Sequence, residues 1–416
     1  MFCVFVGKDI IIERAFFTSP IGFATFAKNA LSMHFFSSQK RLGIVGGGQL
    51  GKMLLYTTQK WDISTAVLDP QADAAAAPYA HSFIQGDLMD FDAVYNFGKE
   101  LDLLTFEIEN INVEALKKLE NEGVSVYPQP KVLEIIQDKT IQKEFYKKHQ
   151  IPTAEFKVHE SLEELKLAVL NGQRSFPFVW KAPKMGYDGF GVRIVRNNLE
   201  LEDLPEGRCL VEEMIPYQTE LSVVVCRNTD GMFRSYPVVE MEFHPTANQV
   251  EYVLCPARIP DKIAAQAQAL AKKVSETFGH VGLLAVEMFM TASGELYVNE
   301  VAPRPHNSGH YSIEAAVTDQ FEQHIRAILN LPLGDTKSLA AAVMVNLVGD
   351  PDHEGPVFYQ NMDHLLTLEG VTPHIYGKKH TRPFRKMGHV NVIHSNIKQA
   401  RTQAEEIKKI VQVISK

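Results

Sequence analysis

Apolar and polar positions set the outline of the chain from Arg41 onward. RLGIV is a continuous apolar run, GGGQLGKMLLYTTQK turns on glycines and then spaces its apolar residues as a helix does, and ISTAVLDP is a second apolar run ending at Asp69. Strand, turn, helix and strand in that order begin a βαβ unit. LDLLTFEI and VSVYP read as further strands, and the helical pattern NVEALKKLENEG between them stops at Gly123. Together these predict an open, mostly parallel, Rossmann-like sheet over about residues 41–130.

Beyond the Pro128-Gln129-Pro130 punctuation the rhythm changes. QDKTIQKEFYKKHQ reads as a helix, and the strands FPFVWKAP and VRIVR flank KMGYDGFG, which makes that glycine run a hairpin tip. LSVVVCR and YPVVEMEF follow as strands. A helix over residues 262–278 carries Ile263, Ala267, Leu270, Val274 and Phe278 at helical spacing before Gly279 ends it. AVEMFM and ELYVNEVAP then flank TASG. The tail adds the strand AAVMVNLVG, a basic turn YGKKHTRPFRKMGH, and an amphipathic helix expected through Ile397, Ala400, Ala404, Ile407, Val411 and Ile414. Residues 1–40 do not continue these patterns and are expected to be a flexible extension, with Met33 as a natural start; MFCVFVGKD lacks the basic leader of a secretory signal.

Composition narrows the classes. The 416 residues are 45% hydrophobic and 22% charged, ordinary for two or three packed domains. A formal charge of −8 argues against a nucleic acid or an anionic membrane as main partner, because both need a basic field. No apolar run approaches the roughly 20 residues that span a bilayer. Cys3, Cys209, Cys226 and Cys255 show no C-x-x-C spacing and fit reduced thiols in the cytoplasm.

The chemistry concentrates at Glu287 and Glu300. If the two strands pair across the turn Thr291–Gly294 with Met290 opposite Glu295, then Glu287 faces Val298 and Glu300 is its diagonal neighbour, with Cβ atoms roughly 7 Å apart on one face. One or two magnesium ions would bridge that gap; a solvated edge hairpin is the alternative. The polar run Arg304, Pro305, His306, Asn307, Ser308, Gly309, His310 follows directly and favours a functional loop. Its histidines lack the H-E-x-x-H pattern and follow two prolines, so zinc ranks below substrate contact. Gly46, Gly48 and Gly51 match G-x-G-x-x-G, with Asp69 at a strand end beyond, which taken alone fits a nicotinamide dinucleotide site. Gly186, Gly189 and Gly191 would let the second glycine run fold over phosphates. Lys181 lies inside an apolar strand and needs an anion, whereas Lys139 fits solvent equally well. VEEMIPYQTE, with Glu212, Glu213 and Glu220, suits a linker that receives adenine or simply a charged strand end. Lys378, Lys379, Arg382, Arg385 and Lys386 suit a phosphate or plain solvation.

GGGQLGKML, FEIENI, QDKTIQK, GYDGFG, NEVAPRPHNSGH and YGK…RPFRKMGH together resemble the ATP-grasp superfamily and, within it, the 5-(carboxyamino)imidazole ribonucleotide synthase family, over about Arg41 to Ile393. The resemblance implies an α/β chain, α+β in part: a Rossmann-like domain over 41–135, an ATP-grasp domain over 136–340 with a small lid near 150–211, and a small C-terminal domain over 341–416. It implies an ATP- and bicarbonate-dependent carboxylation of aminoimidazole ribonucleotide by a cytoplasmic homodimer, with magnesium, or manganese in its place, on Glu287 and Glu300. Lys139, Lys181, Gly186, Tyr187, Asp188, Gly189, Phe190, Gly191, Glu212, Glu213, Met214, Ile215, Glu220, His244, Asn299 and Glu300 would hold ATP. Gly48, Gln49, Leu50, Glu109, Arg304, His306, Asn307, Ser308, Lys378, Arg385 and Lys386 would face the ribonucleotide and bicarbonate. The catalytic roles would fall to Lys181, Tyr187, Asp188, Arg304, His306 and Asn307. Phe190 departs from the family's frequent arginine, and Ala302 from the metal-binding asparagine common in other ATP-grasp enzymes. A formate-using sister ligase and a nicotinamide-binding protein are the alternatives.

Overall fold

The computed structural model describes residues 40–184 and 191–416. The expectations for residues 1–39, including Cys3 and Met33, lie outside the described residues, as do those for Gly186, Tyr187, Asp188, Gly189 and Phe190.

The first apolar runs form five parallel strands in the order Ser82–Gln85, Ser64–Asp69, Arg41–Val45, Leu103–Phe106, Ser125–Val126. Reversal of the strand order beside Arg41–Val45 opens a crevice at the carboxyl ends of the strands, where ligands bind in such sheets. The glycine turn sits there. Helix Pro130–Ile136, not anticipated, starts with proline in its first turn, where the missing N–H costs nothing. Helix Lys139–Lys148 follows, its start fixed by Asp138, whose carboxylate accepts the backbone N–H groups of Thr140 and Ile141.

A small antiparallel sheet, in the order Phe156–His159, Cys209–Glu213, Phe178–Lys181, Val192–Val195, makes the lid. The largest sheet runs Leu296–Ala302, Gly282–Thr291, Tyr217–Arg227, Val239–Phe243, Val250–Cys255, Ala341–Val348, Lys386–His394, Val371–Ile375. Its last three strands belong to the tail, so the C-terminal segment extends the central sheet through the pairing of Tyr252–Cys255 with Ala342–Val345. Helix Asp261–Phe278 covers one face, burying Ala267, Ala271, Val274 and Phe278 against Leu284, Val286 and Met288. Each large side chain so buried contributes about 1.5–3 kcal/mol. The final helix ends at Ile410, earlier than its periodicity suggests; Gln412–Ser415 is a strand paired with Gly355–Gln360, and Val413 is buried from it.

The glutamate hairpin differs from the expected register in a way that matters. Thr291 donates its N–H to the Glu295 carbonyl at 3.0 Å, leaving a three-residue loop closed by Gly294 at φ +85°. Met290 therefore faces Leu296, not Glu295, a slip of one residue. Such a slip alone would send Glu300 to the opposite face. A β-bulge reverses it: pairing stops at Met288–Val298 and resumes at Val286–Val301, so Asn299 and Glu300 both stand opposite Glu287. Val298 and Val301, three apart, accordingly share one core cluster.

His324 joins the Rossmann-like sheet to the central one. Its Nδ1 accepts the Leu283 N–H at 3.2 Å, which leaves Nε2–H to donate to Thr105 Oγ at 2.8 Å. A second proton would confront the Leu283 N–H. Burial pushes His324 down to about 3 and the core residue His280 down to about 4. Both stay neutral when folded and take up a proton near pH 6.5 when unfolded, so their stabilisation is present above that pH and is lost as pH falls. By pH 5 each has lost about 2 kcal/mol. Urea unfolding at pH 7 and pH 5 is expected to show this loss, and His324→Gln is expected to flatten the slope; an unchanged slope in that variant would contradict the assignment.

Candidate functional site

An open cleft of about 2000 Å³ runs between the crevice of the first sheet, the lid and the central sheet. It is roomier than the roughly 300–1,000 Å³ of a single-ligand pocket. On its central wall the bulge aims Asn299 and Glu300 inward beside Glu287. Lys139 Nζ lies 2.6 Å from Glu300 Oε2, and His306 Nε2 lies 3.3 Å from Glu287 Oε1. Lys139 holds the Glu300 carboxyl well below the usual range, whereas burial, aided by the charge of Glu300, pushes Glu287 up. Burial also lifts Glu220 to about 7. For Lys139, burial works against the charged form, but Glu300, Glu212 and Glu287 together outweigh it and its pKa is raised.

The lid supplies Lys181, which finds its anion: Nζ is 2.9 Å from Glu212 Oε2 and donates to Asn299 Oδ1 at 3.1 Å. Glu213, Met214, Ile215 and His244 line the same end, with His244 Nδ1 accepting the Ala247 N–H at 3.0 Å. Gly191 is described but does not line the cleft; its carbonyl accepts the Ala182 N–H.

The cleft is also lined by Gly48, Gln49, Leu50, Glu109, Arg304, His306, Asn307, Lys378, Arg385 and Lys386. Arg304 Nε is 2.8 Å from Glu109 Oε1, and Lys378 Nζ donates to the Lys386 carbonyl, drawing the basic turn together. Asn307 and Asn346 exchange two hydrogen bonds of 2.9 Å. Ser308 departs from its expected role: it is buried off the cleft, bonded to Ser222 Oγ at 2.8 Å and to His306 Nδ1 at 2.9 Å, and so orients His306. Arg382 does not line the cleft either. His310 is buried against His389, with ring centroids 4.7 Å apart.

Two residues escaped the sequence reading. Lys143, one helical turn beyond Lys139, is 2% exposed, and its Nζ is 3.1 Å from Glu212 Oε1. Spacing of four on one helix face was the available signal. Glu107, a carboxylate at the end of an apolar strand, accepts the N–H groups of Gly48 at 2.6 Å and Gly51 at 2.9 Å, while Asp69 accepts that of Gly47 at 2.7 Å. Those donors are the ones a dinucleotide's pyrophosphate would need. The nicotinamide reading fails on this occupancy.

Among the described residues no group of three or more His, Cys, Asp or Glu side chains could hold a metal by itself. Glu287 and Glu300 offer the hard oxygen donors that magnesium prefers, and such an ion completes its shell with substrate phosphates and water. The donor set fits that use.

Three family models match consecutive parts of the chain: a ribonucleotide synthetase preATP-grasp domain over 39–137, an ATP-grasp domain over 144–321, and a phosphoribosylaminoimidazole carboxylase C-terminal domain over 342–403. The N5-carboxyaminoimidazole ribonucleotide synthetase structure from Thermotoga maritima superposes with a TM-score of 0.83 at 44% identity, covering 91% of this chain and 100% of that one. The chain belongs to the N5-carboxyaminoimidazole ribonucleotide synthase family. An Aspergillus clavatus N5-carboxyaminoimidazole synthase, solved in complex with ADP and 5-aminoimidazole ribonucleotide, superposes with a TM-score of 0.80 at 30% identity, covering 89% and 98%. Phosphoribosylaminoimidazole carboxylase of Candida albicans is 36% identical over 387 residues, 88% of this chain but 66% of the yeast protein, so the chain spans about two thirds of that relative. In N5-carboxyaminoimidazole ribonucleotide synthase terms, the ATP-grasp match holds Lys181, Glu212, Glu287 and Glu300, and the C-terminal match holds Lys378, Arg385 and Lys386.

Gly51 tests the turn. A Cβ there would lie 2.7 Å from the Gly46 carbonyl oxygen, a backbone atom that cannot step aside. Gly51→Ala is expected to cost about 1–3 kcal/mol, read from the denaturant midpoint; an unchanged midpoint would show the turn to be looser than described.

Proposed function

We propose that the chain couples ATP cleavage to carboxylation of 5-aminoimidazole ribonucleotide by bicarbonate, releasing ADP and phosphate in purine biosynthesis. The observation that carries this reading is one cleft lined by two chemically different groups of residues. Lys139, Lys181, Glu287 and Glu300 make an end for a metal-bound triphosphate, and Lys378, Arg385 and Lys386 make an end for a ribonucleotide phosphate. Arg304 and His306 lie between them, where bicarbonate would meet both substrates. The ligands of the Aspergillus relative support the same pair of occupants. The homodimer and the cytoplasmic location belong to this proposal; three buried free cysteines agree with a reducing compartment.

Bicarbonate oxygen attacks the γ-phosphorus and ADP leaves, giving carboxyphosphate. Lys181 and Lys139 neutralise charge on the transferring group, donating from fixed positions that need no reorganisation. Magnesium on Glu287 and Glu300 would supply further charge stabilisation to the phosphates. Arg304, fixed by Glu109, holds the carboxylate of the intermediate. The exocyclic amine of the ribonucleotide then forms the C–N bond as phosphate departs and the amine proton is lost. Water must stay out while carboxyphosphate exists, and by resemblance to the family the glycine loop with Tyr187 and Asp188 would exclude it.

Glu287→Gln and Glu300→Gln are each expected to lower turnover roughly 100-fold or more with folding retained, measured as ADP release dependent on both bicarbonate and the ribonucleotide. Near-wild-type rates in both would refute the carboxylate assignment, and ADP release that needs formate instead of bicarbonate would replace the reaction. Arg385→Ala is expected to raise the ribonucleotide KM far more than the ATP KM. An equal rise in both would place the basic turn elsewhere in the mechanism.

A further inference from the structure

Lys143 is buried beneath the ATP end of the cleft and does not line it, although Lys139 and Lys181 do. Two ammonium groups share one carboxylate there: Lys143 Nζ at 3.1 Å from Glu212 Oε1 and Lys181 Nζ at 2.9 Å from Glu212 Oε2. Glu212 is itself 3% exposed, so water screens neither contact. A lone Lys181–Glu212 pair would be neutral, with the full carboxylate charge drawing the ammonium away from any phosphate. The third member changes the balance to a net positive charge. Lys143 also donates to Thr153 Oγ, whose hydroxyl donates to the Val298 carbonyl at 2.7 Å, one residue before the bulge.

We infer that Lys143 is a positioning residue whose buried charge offsets Glu212 and so leaves the charge of Lys181 available to the nucleotide's phosphates. Burial pushes Lys143 down to about 8, while the carboxylate of Glu212 beside it favours the ammonium. The inference rests on the nucleotide-binding reading above and adds a source for the positive field at that end. It also separates two kinds of loss. Disordered packing would weaken every ligand of the site alike, whereas a missing charge weakens a ligand in proportion to its phosphates.

The test is calorimetric titration of the full chain with adenosine, ADP and a non-hydrolysable ATP analogue, each affinity referred to that variant's own adenosine affinity. Lys143→Met is expected to reduce the gain from adenosine to the ATP analogue about tenfold or more, with adenosine itself changed by no more than about twofold. Lys143→Arg is expected to keep most of that gain. Adding Glu212→Gln to Lys143→Met is expected to restore it, because the pair then again leaves one unmatched positive charge. In the double variant Lys181 keeps its hydrogen bond to Asn299, and the amide of Glu212→Gln demands no second counter-charge, so that variant carries the comparison even if Lys143→Met does not fold. Equal weakening of adenosine and the ATP analogue, or a double variant lacking the gain, would overturn the inference. A wild-type chain that binds adenosine but gains nothing from phosphates would instead overturn the nucleotide-binding reading itself.

Discussion

Two residues occupy one place opposite Glu287, and the cleft is built on that irregularity. A regular hairpin after a three-residue turn would carry Glu300 into the hydrophobic layer beneath helix Asp261–Phe278, where its charge would have no partner. The bulge places Asn299 and Glu300 side by side on the polar face and returns Val301 to the core. One extra residue thus satisfies both sides of the sheet. It also gives Lys139 and Lys181 adjacent acceptors on a single strand, Glu300 and Asn299, which draws the helix Lys139–Lys148 and the lid strand Phe178–Lys181 onto the central wall.

An acidic chain thus holds a cluster of carboxylate-paired ammonium groups at one wall of the cleft. Among the described residues most carboxylates are exposed, while Lys143 and Lys181 are buried and Lys139 is nearly so. Buried ammonium groups are tolerable only with close acceptors, and Glu212 and Glu300 provide them before any ligand arrives. An entering triphosphate exchanges one set of charge-assisted contacts for another. Such preorganisation lowers the reorganisation that phosphoryl transfer would otherwise require.

Much of this was legible in the residues. The parallel first sheet, the lid hairpin and helix Asp261–Phe278 follow from periodicity and from Gly279, which adopts φ +60° as the helix stop. A shared face for Glu287 and Glu300 was also legible, but through a register that the structure does not have. Turn length and bulge position depend on packing at Val298 and Val301, contacts remote in sequence from the residues they place. The strand Gln412–Ser415 was hidden for a similar reason: Val411 and Ile414 continue the helical period, yet the segment pairs with Gly355–Gln360, a partner remote in sequence, and buries Val413. Lys143 was hidden because a lysine on an amphipathic helix reads as solvent-facing until its acceptor, far along the chain, is known.

The glycine turn shows how a pattern can fix a backbone without fixing a ligand. Gly46, Gly48 and Gly51 make the tight strand-to-helix turn that their spacing predicts, with backbone N–H groups converging at the helix start. In a dinucleotide site those groups are left for the pyrophosphate. Here Glu107, only 8% exposed, supplies the anion from the neighbouring strand, and burial raises its pKa despite the two N–H donors. The same donors cannot serve both partners. The turn is therefore a rigid wall of the cleft, held by Glu107 and Asp69, and Gly48, Gln49 and Leu50 line the cleft that also holds Lys378, Arg385 and Lys386.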